Sequence, residues 1–127
     1  MTPSWVNDTV RAFGRQMGLE NFVLNDRGAA AVRFENGVSL KFEYAGEALV
    51  VSAGLSIPGG EAPLKALLAA AHPAARHQVK IRAAYLARSG EAVFASCIQE
   101  RDVGVSTIEM VFRELWEAAR HLGRVLA

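Results

Sequence analysis

Four residues open the question of chemistry: one cysteine, Cys97, and three histidines, His72, His77 and His121. A helical metal clamp needs two histidines four positions apart on one face, or clustered cysteines. No histidine pair has that spacing and there is no second cysteine, so no metal ligands are expected. His72 falls at the end of a helical segment, where an imidazole meets free carbonyls at the negative end of the helix dipole. Structural or surface roles are expected for all three histidines. Cys97 lies inside the apolar run Ala92-Val93-Phe94-Ala95-Ser96-Cys97-Ile98 and is read as a small core hydrophobe rather than a nucleophile. A single cysteine has no internal disulfide partner, which suits a reducing compartment.

Nucleophilic and phosphate-binding signals are equally thin. Ser52 stands in Val51-Ser52-Ala53-Gly54, without the flanking glycines of a nucleophile elbow. Ser96 and Ser106 are explained as a strand position and a helix cap. Most carboxylates fall in turns or on polar helix faces, away from any evident acid–base pair. Gly59-Gly60 precedes a helix, but neither a phosphate-loop lysine nor a dinucleotide fingerprint accompanies it. No catalytic residue, no cofactor and no enzymatic activity is therefore expected. One charge asymmetry remains: from Ala62 to Gly90 there is no acidic residue, while Lys65, Arg76, Lys80, Arg82 and Arg88 are present. Lys80 and Arg82 share a strand face. That face lacks the aromatic stacking platform of a single-strand binder, so a solvated sheet face or a dock for an acidic protein is expected rather than nucleic acid.

Composition sets the frame in which these residues must be held. The 127 residues are 51% hydrophobic and 21% charged, with 14 basic against 13 acidic side chains and a net charge of +1. Disordered chains have the opposite balance, and no strong field draws this one to nucleic acid or an anionic bilayer. The length suits a single domain, 1–127, with a core of its own. The apolar content is high for a small monomer, which points to a partner. The first residues, Met1-Thr2-Pro3-Ser4-Trp5, lack a signal-peptide pattern, and the longest apolar stretch, Leu64 to Ala71, is too short to span a bilayer. A cytoplasmic protein without membrane contact is expected.

Periodicity then supplies the elements. Thr2 and Pro3 suit a helix start, followed by Val6, Val10, Phe13 and Met17 at helical spacing and by Gly18 as a stop. From Asn21 to Leu55 the period is two. Phe22-Val23-Leu24 reads as a short strand and Ala30–Phe34 as a second. Asn36-Gly37 signals a hairpin. Val38 to Tyr44 alternates with polar residues, and Leu49–Leu55 is more deeply buried. A second helix spans Glu61–Ala71 and ends before Pro73. Val79, Ile81, Ala83 and Tyr85 alternate as another strand, paired through a turn with Ala92–Gln99. Ser106-Thr107-Ile108-Glu109 fits a capping box ahead of a helix with Ile108, Val111, Phe112, Leu115, Ala119 and Leu122 on one face. The result is an α+β fold: helix, antiparallel meander, helix, β-hairpin, helix.

This whole-chain pattern resembles the class I chaperones of bacterial type III secretion, the family of the Tir and Yop effector chaperones. The resemblance rests on the N-terminal helix ending in Gln16-Met17-Gly18-Leu19, the turn at Asp26-Arg27-Gly28, the apolar strand Leu49 to Leu55, the leucines of Leu64-x-x-Leu67-Leu68, and a C-terminal helix with Trp116 near its middle. It implies a cytoplasmic homodimer without enzymatic activity that holds the N-terminal chaperone-binding segment of a secreted effector in extended, secretion-competent form. On that reading the partner-binding candidates, placed by element on the first helix and first sheet, are Phe13, Val32, Phe34, Leu40, Phe42 and Val50, insofar as they are exposed. A small ligand-binding or enzymatic α+β domain, or a nucleic-acid adaptor using the Lys80/Arg82 face, stays open as an alternative.

A dimer is also expected from the residues themselves. The strand Ala92–Gln99 is nearly uncharged on both faces, and one small domain has a single interior, so the second face needs a cover. Leu64, Leu67 and Leu68 of the second helix, with Val93, Phe94 and Ile98, are the candidate dimer contacts.

Overall fold

The computed structural model describes residues 2–71 and 79–126; the expectations for His72, Pro73 and His77 lie outside the described residues. Along the chain run α1 (Ser4–Gln16), β1 (Ala29–Arg33), β2 (Ser39–Ala45), β3 (Ala48–Ser56), α2 (Glu61–Ala71), β4 (Arg82–Leu86), β5 (Glu91–Gln99) and α3 (Val105–Val125), with a 3-10 turn at Glu100–Asp102. The α+β architecture is as read from the sequence. The meander and the later hairpin do not form separate sheets, however. β3 pairs antiparallel with β5, Leu49 opposite Ile98 and Leu55 opposite Ala92, which gives one five-stranded antiparallel sheet in the order β1-β2-β3-β5-β4.

The turns explain the hairpins. Asn36 Oδ1 accepts from the Val38 N–H (3.1 Å), while Gly37 takes φ +87° and donates to the Phe34 carbonyl (3.0 Å). Gly46 and Glu47 both have positive φ, 59° and 60°, the backbone of a two-residue turn whose twist matches the strands it joins.

Local signals misplace four features. Phe22-Val23-Leu24 is not a strand: the Asn7 side chain accepts from the Leu24 N–H (2.9 Å) and donates to the Leu24 carbonyl (3.5 Å), occupying the groups a ladder would use. Phe22 and Leu24 are nonetheless buried. Thr2 does not cap α1, whose N-cap is Pro3 without a side-chain bond. The capping box does not form either: α3 starts at Val105 behind an extended Gly104, so Ser106 and Glu109 sit two positions too far into the helix. Finally, β4 begins at Arg82, although Val79, Ile81, Ala83 and Tyr85 still pack toward the core.

The core fills one face of the sheet. Val6, Val10 and Phe13 of α1, Leu40 and Phe42 of β2, Leu49, Val51 and Ala53 of β3, Phe94 and Ile98 of β5, and Ile108, Val111, Leu115 and Leu122 of α3 are all buried. Met17, expected on the α1 stripe, lies past the helix end and is exposed. On β5 the inward set is Ala92, Phe94, Ser96 and Ile98; Val93 and Ala95 are half-buried and Cys97 is exposed. Cys97 is thus a residue of the open sheet face rather than the core hydrophobe expected, because alternation along β5 gives the core to its neighbours.

Two contacts make local predictions. Gly14 lies where α1 crosses the following loop, and a Cβ there would stand 2.8 Å from the Phe22 Cβ and 3.2 Å from the Leu19 carbonyl oxygen. Helix propensity favours alanine by about 1 kcal/mol, but overpacking against a backbone oxygen and a fixed Cβ costs about 1–3 kcal/mol. Gly14→Ala is expected to lower the urea midpoint; a raised midpoint would show that the loop yields freely.

At the far end of β2, the Tyr44 hydroxyl donates to the Glu100 carboxylate, and the Glu100 N–H donates to the Glu47 carbonyl (3.0 Å). The hydrogen bond to Glu100, desolvation and the charges of Glu100 and Glu47 push the Tyr44 phenol up to about 12. A folded value above the unfolded one means that the fold favours the neutral phenol. Its contribution to stability is complete below pH 10 and is lost as pH rises from 10 through 12. Absorbance titration should find a tyrosine ionising well above pH 10, and Glu100→Gln should bring that midpoint down.

Candidate partner-binding surfaces

Six aromatic rings form a continuous series across the covered face of the sheet. Phe22 meets Phe42 edge-on (5.1 Å between centroids), Phe42 stacks on Phe13 (5.5 Å), and Phe13 meets Phe112 (5.6 Å). Phe112 leans on Trp116 (5.5 Å), which meets Phe34 edge-on (5.0 Å). The inner end of the series is closed: Phe13, Phe42 and Leu40 are fully buried. Three partner-binding candidates therefore belong to the chain's own core, because the stripe of α1 and the inward face of β2 are spent on each other. The outer end is open. Phe34, Phe112, Trp116 and Val32 are half-buried, and together they form an apolar patch where α3 passes the end of β1.

Beside that patch runs a free sheet edge. The Phe34 N–H bonds the Val38 carbonyl (2.9 Å) and the Tyr44 N–H bonds the Gly28 carbonyl (2.7 Å). Alternation along an antiparallel pair then turns the even-numbered residues of β1 toward β2 and leaves Ala31 and Arg33 with outward N–H and C=O groups. The Ala29 N–H is taken by Asn25 Oδ1 (3.1 Å), so the open stretch starts at Ala31. Phe112 and Trp116 were missed as surface residues by the sequence reading, which placed Phe112 in the core. The available signal was their i, i+4 spacing at the margin of the buried α3 stripe, where an aromatic covers the core with one edge and faces outward with the other.

The sixth partner candidate, Val50, lies elsewhere, half-buried on the open sheet face opposite Cys97. There, with Ala95 and Cys97, it lines a shallow depression bounded by Lys80 and Arg82. The dimer candidates divide in the same way. Leu67, Phe94 and Ile98 are buried in the chain's own core, since α2 turns Leu67 toward the core and β5 turns its even-numbered residues inward. Leu64 and Leu68 are 38% and 65% exposed, and Val93 is half-buried on the open face. Leu86 of β4 is also exposed. No group of histidine, cysteine and acidic residues suited to a metal exists among the described residues, and no helix among them is long and apolar enough to cross a membrane.

The family model for the type III secretory system chaperone SycN matches residues 5–122. No curated protein matches the chain. Solved structures share its fold. A chain of the ExsC–ExsE complex superposes with a TM-score of 0.79 at 20% identity, covering 97% of this chain and 94% of that one. A chain of the HopA1–SchA chaperone–effector complex gives 0.72 at 21%, with 96% and 98% covered. The Yersinia pestis type III secretion chaperone SycH, in complex with a fragment of YscM2, gives 0.70 at 20%, with 92% and 98% covered.

Proposed function

The chain belongs to the SycN family of type III secretory system chaperones, and on that premise we propose that it binds the N-terminal chaperone-binding segment of a secreted effector in extended form and keeps it competent for export. The observation that carries this reading is the juxtaposition of a free β1 edge with the half-buried patch of Val32, Phe34, Phe112 and Trp116. An extended segment adds main-chain hydrogen bonds along such an edge and sets alternate side chains on such a patch. The chain works in the cytoplasm, without enzymatic activity, cofactor or nucleic acid. It acts as a homodimer joined through Leu64 and Leu68 of α2 and the Leu86 and Val93 region of β4 and β5. The test is co-expression with effectors of the same host, followed by limited proteolysis of the complex. A protected N-terminal effector segment without a compact fold of its own supports the reading, and absence of any effector complex refutes it.

A further inference from the structure

We infer that the bound segment continues past the β1–β2 hairpin into a second groove, which selects alternating apolar and acidic residues. This groove lies between the last turns of α3 and the ends of β2 and β3, with a volume of ≈ 460 Å³. The inference rests on the reading that the chain holds an extended partner segment. Continuity supports it: Trp116, Arg120 and Arg124 follow at steps of four along α3, each the surface neighbour of the next, so the groove begins where the aromatic patch ends.

The two walls differ in chemistry. Val38, Leu55 and Ile57 make the sheet wall apolar, whereas Arg120 and Arg124 edge the helix wall, and no carboxylate lines the groove among the described residues. Among the described residues Arg120 pairs with exposed Glu117 at 3.5 Å, and no salt bridge joins Arg124 to a carboxylate. A β-strand lying between the walls sends successive side chains to opposite sides, with alternate residues about 6.6 Å apart. Residues four apart on a helix are separated by about the same distance. Acidic side chains at alternate positions therefore match the two arginines, while the apolar ones between them meet half-buried Leu55, behind which Val38 and Ile57 are buried.

Gly123 supports the same occupant. It sits inside α3 with no positive φ, and a Cβ there would meet only Leu55 Cδ2, at an ordinary 3.4 Å. Neither backbone geometry nor core packing requires a glycine, and alanine is the better helix former. The missing side chain keeps the helix wall low, so that another backbone approaches it closely.

The test uses the full chain and two fluorescein-labelled peptides of about twelve residues, leucine alternating with glutamate in one and with glutamine in the other. The glutamate peptide should bind about tenfold tighter in low salt, with the advantage shrinking as salt rises. Arg124→Glu should abolish that preference. Gly123→Leu should weaken the glutamate peptide about tenfold, and Gly123→Ala should weaken it less while leaving the thermal midpoint unchanged or raised. Equal affinities for the two peptides, or full affinity in folded Gly123→Leu, overturn the groove; if Trp116→Ala still abolishes binding in that case, the extended-segment reading stands. Binding of dodecanoate but neither peptide also overturns it, as a lipid-like site. If neither peptides nor an effector segment bind the unmodified chain, both readings fall.

Discussion

Aspartate in place of Ile98 is expected to unfold the chain, whereas aspartate in place of Leu68 is expected to release folded monomers from a dimer. Both are apolar residues that the sequence alone ranks together as contacts between copies. Ile98 is 3% exposed and stands opposite Leu49 near one end of the β3–β5 ladder. A carboxylate there replaces an apolar side chain of the core, and a buried charge left uncompensated costs about 3–5 kcal/mol, much of the 5–15 kcal/mol by which a domain of this kind is stable. Leu68 stands out from α2, and substitution at so exposed a site changes the stability of an isolated chain by only about 0.5 kcal/mol. At the centre of an apolar two-fold contact of about 1,200–2,000 Å² the same charge appears twice, facing itself. Sedimentation equilibrium and thermal unfolding separate the outcomes. Leu68→Asp should be monomeric with a cooperative transition, and Ile98→Asp should have none. A Leu68→Asp protein that stays dimeric, or an unmodified chain monomeric at micromolar concentration, would place the contact elsewhere or remove it.

That contrast also shows where sequence reading stops. Period-two alternation correctly divides β5 into Ala92, Phe94, Ser96 and Ile98 on one side and Val93, Ala95 and Cys97 on the other. When both sides are apolar, nothing in the pattern says which one faces α3. The choice is made by β3, whose own inward set, Leu49, Val51, Ala53 and Leu55, pairs residue by residue with the even-numbered side of β5. That pairing joins positions more than thirty residues apart, and it also fused two expected sheets into one. Turn chemistry was far more legible. Asn36-Gly37 and Gly46 act through bonds and dihedral angles of adjacent residues, so their meaning is local. Helix starts fell between these cases. Ser106-Thr107-Ile108-Glu109 has the residues of a capping box, but α3 begins earlier, at Val105. Burial of Ile108, Val111 and Leu115 fixes the helix as a whole, and most helical stability comes from such packing.

The candidate site was legible by element and illegible by residue for the same reason. Phe13, Leu40 and Phe42 are the obvious apolar residues of α1 and β2, and their very periodicity marks them as core. A binding patch is made instead by residues at the margin of such stripes, half satisfied by the fold. Phe34 lies just past β1, and Phe112 and Trp116 lie one step off the buried line of α3. Only contact between α3 and the end of β1 brings the three together.

The expected consequence is that Trp116→Ala and Phe34→Ala each weaken binding of the effector segment by at least about 30-fold, the effect of losing an aromatic anchor worth about 2 kcal/mol. Both rings are half-buried and touch each other (5.0 Å between centroids), so truncating either removes contact area from the partner and also loosens the ring that remains. Some loss of stability accompanies this, and a third variant separates it from binding. Ala31 is exposed in the middle of β1 with its N–H turned outward, so Ala31→Pro removes a donor from the free edge without taking one from the β1–β2 ladder. Edge strands tolerate proline in that orientation. Ala31→Pro should keep a thermal midpoint close to that of the unmodified chain and still weaken the effector segment, because strand addition depends on those main-chain groups. Titration of a labelled effector segment by anisotropy, beside thermal unfolding of each variant, reads both quantities. Full affinity in Ala31→Pro with loss in Trp116→Ala would mean that the segment binds the aromatic patch without adding a strand. Full affinity in all three variants would move the site off this side of the molecule, toward the open sheet face that carries Val50 and Cys97.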